Sequence, residues 1–188
     1  MLIGLTGKMQ AGKDTVLDCI RSLKGNDYCV ESISCAGSLK RLCRDLLGLS
    51  VNDLFTQEGK AAYNPKWGMT NREILQKVGT DAMRNNFHPD VWVILLKDDL
   101  SQMTEWLGND QGENYIIVVP DVRFDNEAQT IKSLGGYIWE IKRPGYEGDG
   151  HASEKGVSPD LIDETINNDG SLEELKNKVE KLLQERGI

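Results

Sequence analysis

Apolar positions along this chain switch between a strand period and a helix period, and the switches mark out its elements. Leu2-Ile3-Gly4-Leu5 is a continuous apolar run, the pattern of a strand buried on both faces. After a glycine-rich turn, Val16, Cys19, Ile20 and Leu23 recur at helical spacing. Tyr28 to Cys35 reads as a second strand. Leu39, Leu42, Cys43, Leu46 and Leu47 then form the stripe of an amphipathic helix, with Lys40, Arg41 and Arg44 towards the other side. Residues 48–69 carry little pattern and are expected to be irregular. Thr70-Asn71-Arg72-Glu73 is a capping box opening a helix with Ile74, Leu75, Val78, Ala82 and Met83 on one face; Gln76, Thr80 and Arg84 lie elsewhere on it. Asp90 is expected to cap a longer helix with Trp92, Leu96, Leu100, Met103 and Leu107 inward. Its tryptophan reads as a packing anchor.

Gly108 to Asn114 reads as a polar loop. Ile116-Ile117-Val118-Val119 is apolar throughout, as a central parallel strand should be, and closes on Pro120-Asp121. Asn126 is expected to open a short helix (Ala128, Ile131, Leu134) ended by Gly135-Gly136. Tyr137 to Lys142 and Asp163 to Asn168 read as strands, separated by a glycine-rich polar stretch from Arg143 to Pro159. A second capping box, Ser171-x-x-Glu174, starts a last helix with Leu172, Leu175, Val179, Leu182 and Leu183 inward. Strands alternating with helices predict an α/β fold in three layers, a five-stranded parallel sheet with helices on both faces.

Bulk properties narrow the function classes. A length of 188 residues fits one domain. No apolar run approaches the roughly 18 residues of a membrane span, so no membrane partner is expected. The first strand begins at once, without a signal-peptide layout. Cys19, Cys29, Cys35 and Cys43 show no metal-type spacing and sit in apolar-periodic segments, which favours buried reduced thiols in a cytoplasmic protein. A net charge of −8 argues against binding a nucleic-acid polymer, whose phosphate backbone needs a basic face. Small anionic substrates need only a local cationic pocket.

The turn after the first strand supplies one. Gly7-Lys8-Met9-Gln10-Ala11-Gly12-Lys13 has the G-x-x-x-x-G-K spacing of a phosphate-binding P-loop. Its glycines let backbone N–H groups, including those of Lys8 and Ala11, turn inward as an anion nest. Lys13 adds a point charge for the β- and γ-phosphates, and the following helix adds its positive end. The position after Lys13, usually Ser or Thr, is Asp14, followed by Thr15. Asp14 either holds Mg²⁺ through oxygen or caps the helix. Asp121 ends the later buried strand in Walker-B fashion, so it and Arg123 are expected to face the nucleotide. Arg143 opens the glycine-rich stretch, which fits a lid, and His151 within it reads as a positioning or surface residue. Lys40 either lines an anion pocket or belongs to a solvated face. Five strands with a P-loop after the first match the small-kinase branch of P-loop folds.

Several segments resemble the deoxynucleoside monophosphate kinases of tailed phages. They are Gly12-Lys13-Asp14-Thr15; Arg72-Glu73-Ile74-Leu75-Gln76 with Gly79-Thr80-Asp81 and Arg84; Asp90-Val91-Trp92; and Asp121-Val122-Arg123-Phe124 with Asn126-Glu127-Ala128. Lys142-Arg143-Pro144-Gly145, His151-Ala152-Ser153-Glu154 and Ile166-Asn167-Asn168-Asp169-Gly170-Ser171 complete the likeness, which covers nearly the whole chain. The resemblance implies an NMP-kinase-like fold and transfer of the γ-phosphoryl group of ATP to a deoxynucleoside monophosphate, with Mg²⁺, in the (host) cytoplasm. On that reading Gly7, Gly12 and Lys13 cradle the ATP phosphates, and Asp14 or Thr15 with Asp121 holds Mg²⁺. Arg123 and Arg143 neutralise the migrating group, Arg72 and Arg84 bind the monophosphate, and Gln76 meets the base edge. The expected organisation is one kinase domain over 1–188, with a substrate-binding helical insertion at about 48–110 and a lid at about 143–160. The Gly-Lys-Asp pattern also occurs in the phosphomevalonate kinase type and the fold in dephospho-coenzyme A kinases. Those acceptors, and a non-catalytic ATP sensor, stay as alternatives. The long helix with Trp92 is a candidate homodimer face, although such stripes are more often intramolecular.

Overall fold

The computed structural model describes residues 1–25, 27–111, 114–145 and 156–188, with backbone alone at 110 and 111. The chain runs β1 (Leu2–Thr6), α1 (Lys13–Lys24), β2 (Cys29–Ser32), α2 (Gly37–Leu47), α3 (Val51–Phe55), α4 (Gln57–Ala61), β3 (Tyr63–Asn64), β4 (Met69–Thr70) and α5 (Asn71–Gln76). It continues through a π-helix at Lys77–Arg84, α6 (Val91–Gln111), β5 (Tyr115–Val119), α7 (Asp125–Ser133), β6 (Tyr137–Lys142), a short 3-10 turn, β7 (Glu164–Asn167) and α8 (Leu172–Glu185). Two compact units result: Met1–Ser34 with Asp99–Ile188, and Cys35–Asp98. No helix among the described residues is long and apolar enough to cross a membrane.

In the first unit five parallel strands lie in the order β2-β5-β1-β6-β7. The central strand, β1, is apolar because both of its faces are covered. Ile3, Leu5, Ile116, Val118, Trp139, Ile141 and Ile166 pack on one face against Val16 and Ile20 of α1 and Leu175, Val179 and Leu183 of α8. On the other face α7 comes so close that a Cβ at Gly4 would press into Ile131. Trp139 is fully buried, and its indole N–H has no hydrogen-bond partner. Replacing it with Phe keeps most of the apolar volume and removes a desolvated donor, whose burial costs about 1–3 kcal/mol. Trp139→Phe is therefore expected to melt close to the parent in a thermal scan, where a shape-only argument predicts a clear loss.

The strands are nearly as patterned, with β2 shorter than the run Tyr28 to Cys35. Helix α6 continues through Gln111, into the stretch expected to be a polar loop. Helix α7 begins at Asp125, with Phe124 as its N-cap rather than Asn126. Leu134 and Leu172, expected inward, lie at helix ends and are exposed. Of the cysteines, Cys19, Cys35 and Cys43 are buried and none of the four forms a disulfide. Burial pushes the Cys43 thiol up to about 11, so it is an inert core group.

The second unit corrects the reading of 48–69 as irregular. Ser50 and Asp53 form a reciprocal capping box that starts α3, and Thr56 caps α4. The β3–β4 hairpin follows, with Gly68 in its turn at φ 68°. The buried Asn71 side chain ties these pieces together, accepting from Asn64 Nδ2 (2.9 Å) and donating to the Gly59 carbonyl (2.8 Å). Leu39, Cys43, Leu54, Ile74 and Trp92 form the core of this unit, while Leu46 is exposed. After α5 the backbone goes over to π-helix, which adds a residue per turn and rotates the later positions. That is why Thr80 and Arg84 are buried and Ala82 faces out, the reverse of the helical pattern. The indole of Trp92 donates to the Gly79 carbonyl of this segment at 2.7 Å.

Both capping boxes foreseen in the sequence form with both arms. Backbone N–H donors of Thr70 and Ser171 hold the carboxyls of Glu73 and Glu174 below the ordinary glutamate range, with the two hydroxyls adding to the effect. A carboxyl depressed in the folded state contributes stability that is fully present above its unfolded pKa, about 4.3. That stability is lost as pH falls through the lower folded value. Melting temperature should thus fall more steeply below about pH 4.3 in the parent than in a Glu73→Gln, Glu174→Gln variant, measured by a pH series of thermal scans.

Candidate active site

The carboxyl edge of the first unit's sheet gathers the residues that carry chemistry. From β2 to β7 the strands end in Ser34, in Asp121 to Arg123, in the P-loop, in Lys142 and Arg143, and in Asn168. The ends of parallel strands are where α/β folds bind ligands.

The P-loop follows the buried β1. Gly7 and Gly12 have φ of 134° and 102°, and Gln10, between them, also sits at a positive φ of 62°. A non-glycine residue in that region stores strain, which is common where a loop is shaped for a ligand. A Cβ at Gly7 would run into the Ile141 carbonyl oxygen, and one at Gly12 into the Asn168 side chain. The glycines thus satisfy both the backbone angles and close packing against β6 and β7. Gly12 is the N-cap of α1 and supplies no side-chain acceptor for the first-turn N–H groups, which suits them to an anionic ligand. Asp14 is the second helical residue, exposed in the first turn, and is not the cap. Lys13 Nζ donates to the carbonyls of Gly7 (2.6 Å) and Lys8 (2.8 Å), tying the two ends of the loop together.

Beside the loop lies a cavity of about 460 Å³, lined among others by Gly7, Lys8, Arg123, Glu140, Lys142 and Arg143. Two of the arginines singled out from sequence therefore share one space with the P-loop. Ala11 also lines it, whereas Gly12, Lys13, Asp14, Thr15 and Asp121 do not. Glu140 is paired with Lys142 at 2.9 Å. Buried Glu127 fixes the turn after β5 by accepting from the backbone N–H groups of Arg123 (2.8 Å) and Phe124 (3.1 Å). Asp121 is half-buried and accepts from Ser34 Oγ at 2.5 Å.

Lys40, Arg72, Gln76 and Arg84 belong to the second unit. Lys40 Nζ lies 4.5 Å from the centroid of the Phe55 ring. Arg72 donates to Gln57 Oε1 at 3.0 Å. Gln76 ends α5 half-buried, and Arg84, buried at the end of the π-helix, donates to the Pro89 carbonyl at 3.2 Å. The reading of His151 and most of the lid at 143–160 lies outside the described residues. Sequence pattern missed Ser34, Glu127 and Asn168 as parts of the site. Glu127 had a signal in its three-residue spacing from a helix start, hidden because Phe124 is not a capping residue. Ser34 gave none, and Asn168 stood in a segment of the family likeness without a role attached to it.

Comparison with known proteins shows the family to which the chain belongs. A family model described as deoxynucleotide monophosphate kinase matches residues 48–179, a stretch that holds Arg72, Arg84, Asp121, Arg123 and Arg143 but begins after the P-loop. A protein of Acanthamoeba polyphaga mimivirus assigned as a deoxynucleotide monophosphate kinase is 36% identical over 160 residues, 82% of this chain and 80% of its own length. The deoxynucleotide monophosphate kinase of Escherichia phage RB69 is 36% identical over 64% of this chain, a match spanning about half (47%) of the phage enzyme. Among solved structures, dephospho-CoA kinase from Campylobacter jejuni covers 98% of this chain and 96% of its own at a TM-score of 0.52 and 16% identity, a likeness of fold alone.

Proposed function

Since the chain belongs to the deoxynucleotide monophosphate kinase family, we propose that it transfers the γ-phosphoryl group of ATP to the phosphate of a deoxynucleoside 5′-monophosphate. A phosphate oxygen of the acceptor forms the new P–O bond, the bond from the γ-phosphorus to the β–γ bridging oxygen breaks, and ADP leaves. The observation that carries this reading is the sharing of one cavity by the P-loop and the arginines after β5 and β6. Phosphoryl transfer leaves a protein mostly positioning and charge neutralisation to do, and an acceptor that is already a phosphate needs no general base.

In this reading the N–H groups of Lys8 and Gly12 and the Lys13 ammonium hold the ATP phosphates, while the Ala11 N–H, expected in the nest, instead closes a turn by donating to the Lys8 carbonyl at 3.2 Å. Arg123 and Arg143 balance the charge on the group in transit. Arg72, Arg84 and Lys40 bind the acceptor phosphate, and Gln76 reads its base. Asp14, Thr15 and Asp121 offer only hard oxygen donors, which fit Mg²⁺. Among the described residues no group of three or more His, Cys, Asp or Glu side chains converges, so phosphate oxygens and water would supply the remaining ligands. When bound, Mg²⁺ neutralises charge on the β- and γ-phosphates. The organisation that serves this is one kinase domain with an acceptor-binding insertion at about 48–110 and a lid at about 143–160, working in the host cytoplasm if phage-encoded.

The test is ADP release from Mg·ATP across the four deoxynucleoside monophosphates, phosphomevalonate and dephospho-coenzyme A. Release that depends on a deoxynucleoside monophosphate is the expected result. Dependence on one of the other two acceptors, release without any acceptor, or no release at all would overturn it.

A further inference from the structure

Asn168, just past the end of β7, reaches across the sheet edge to the P-loop. Its Nδ2 donates to the Ala11 carbonyl at 2.9 Å, and the same amide occupies the space that a Cβ on Gly12 would fill. Its backbone N–H donates to the Lys142 carbonyl at 2.7 Å, so the residue is anchored to the end of β6 from which Arg143 extends. Ala11 itself is 1% exposed, so its carbonyl has little water to turn to if the amide is removed. The Ala11–Gly12 peptide is trans, and in a trans peptide the C=O and the next N–H point in opposite directions. Holding the Ala11 oxygen against Asn168 therefore turns the Gly12 N–H to the opposite side, away from β7.

We propose that Asn168 is a positioning residue for the ATP phosphates, fixing the Ala11–Gly12 peptide so that the Gly12 N–H stays in the anion nest. The proposal rests on the P-loop being the nucleotide site. Without the amide donor, the Ala11 oxygen is free to swing and the Gly12 N–H swings with it. A nest that has lost one preset donor must order it on binding, and affinity for the triphosphate falls. The acceptor's own contacts are untouched.

The experiment compares the parent with Asn168→Ala and Asn168→Asp. Both keep the backbone bond to Lys142, so the β6–β7 pairing and the fold should survive. Asn168→Ala is expected to raise the KM for ATP about tenfold, the effect of one hydrogen bond of ordinary strength. Asn168→Asp, which turns a carboxylate oxygen towards the Ala11 oxygen, should raise it further. In both, the KM for the acceptor stays close to the parent's, and the melting temperature falls by no more than a few degrees, the cost of one buried acceptor left without its donor. Binding of the non-hydrolysable analogue AMPPNP, followed by calorimetry, should weaken by the same factors. An unchanged ATP KM and AMPPNP affinity in Asn168→Ala, or an equal rise in the KM values for ATP and acceptor, overturns the proposal. If the parent binds AMPPNP but transfers no phosphoryl group, the kinase reading fails while the binding series still decides the role of Asn168.

Discussion

Lys13→Ala should give a folded protein whose turnover is lower by about 10³ or more, the scale of losing a charge clamp in phosphoryl transfer. Two consequences of the substitution pull apart. The ammonium at the loop is lost, and with it the point charge that would meet the triphosphate's terminal oxygens. The carbonyls of Gly7 and Lys8 also lose a donor. The second loss concerns a partly exposed loop where water can replace the donor, so its effect on stability is small. Helix α1 remains held by Val16, Leu17, Cys19 and Ile20, all buried, and Ala is a good helix former in the first turn. A circular dichroism spectrum and a thermal scan near those of the parent, with turnover almost abolished, is the expected combination. Turnover within a few fold of the parent would remove Lys13 from the reaction.

Gly7→Ala should follow close behind, by a different route. Gly7 sits at φ 134°, where an L side chain is strained by about 1–3 kcal/mol before any contact is counted. The new methyl would also meet the Ile141 carbonyl oxygen, a backbone atom in a strand buried against α1 and α8, which has little freedom to yield. The loop, being the softer partner, should shift instead and spoil the nest. ATP KM is expected to rise about a hundredfold, the equivalent of about 2.7 kcal/mol, with a melting temperature several degrees lower. A variant with an unchanged ATP KM would show that the cradle is not the nucleotide site.

The parts of this fold that could be read from sequence are those in which neighbouring residues already contain the cause. The P-loop is a local conformation written in two glycines and a lysine. The capping boxes at Thr70 and Ser171 close over four residues. Strands β1 and β5 announce themselves because a strand covered on both faces must be apolar throughout, and β6 through its run of Tyr137, Ile138 and Trp139. In a parallel sheet Arg123 and Arg143 are expected near the P-loop, since Arg143 directly follows β6 and Arg123 lies in the turn after β5.

What stayed hidden depends on partners distant in sequence or on departures from a regular period. Residues 48–69 fold into two short helices and a hairpin held by the buried Asn71, whose partners are Asn64 and Gly59. None of these elements is long enough to show a period, although Ser50-x-x-Asp53 was a visible start signal. The π-helix at Lys77–Arg84 rotates Thr80 and Arg84 inward, and a pattern search at the α-helical period places them outward. Asn168 contacts Ala11 from the far end of the chain, and Ser34 contacts Asp121 from another strand. Such side chains are polar residues in turns by any local criterion.

The most direct test of the central claim is to follow the label from [γ-³²P]ATP in the presence of Mg²⁺ and a deoxynucleoside monophosphate, with the parent and Lys13→Ala side by side. Label appearing in the deoxynucleoside diphosphate with the parent, and almost none with the variant, is the result expected from a P-loop that delivers a phosphoryl group to a bound monophosphate. Label released only as inorganic phosphate, or equal transfer by both proteins, would contradict it.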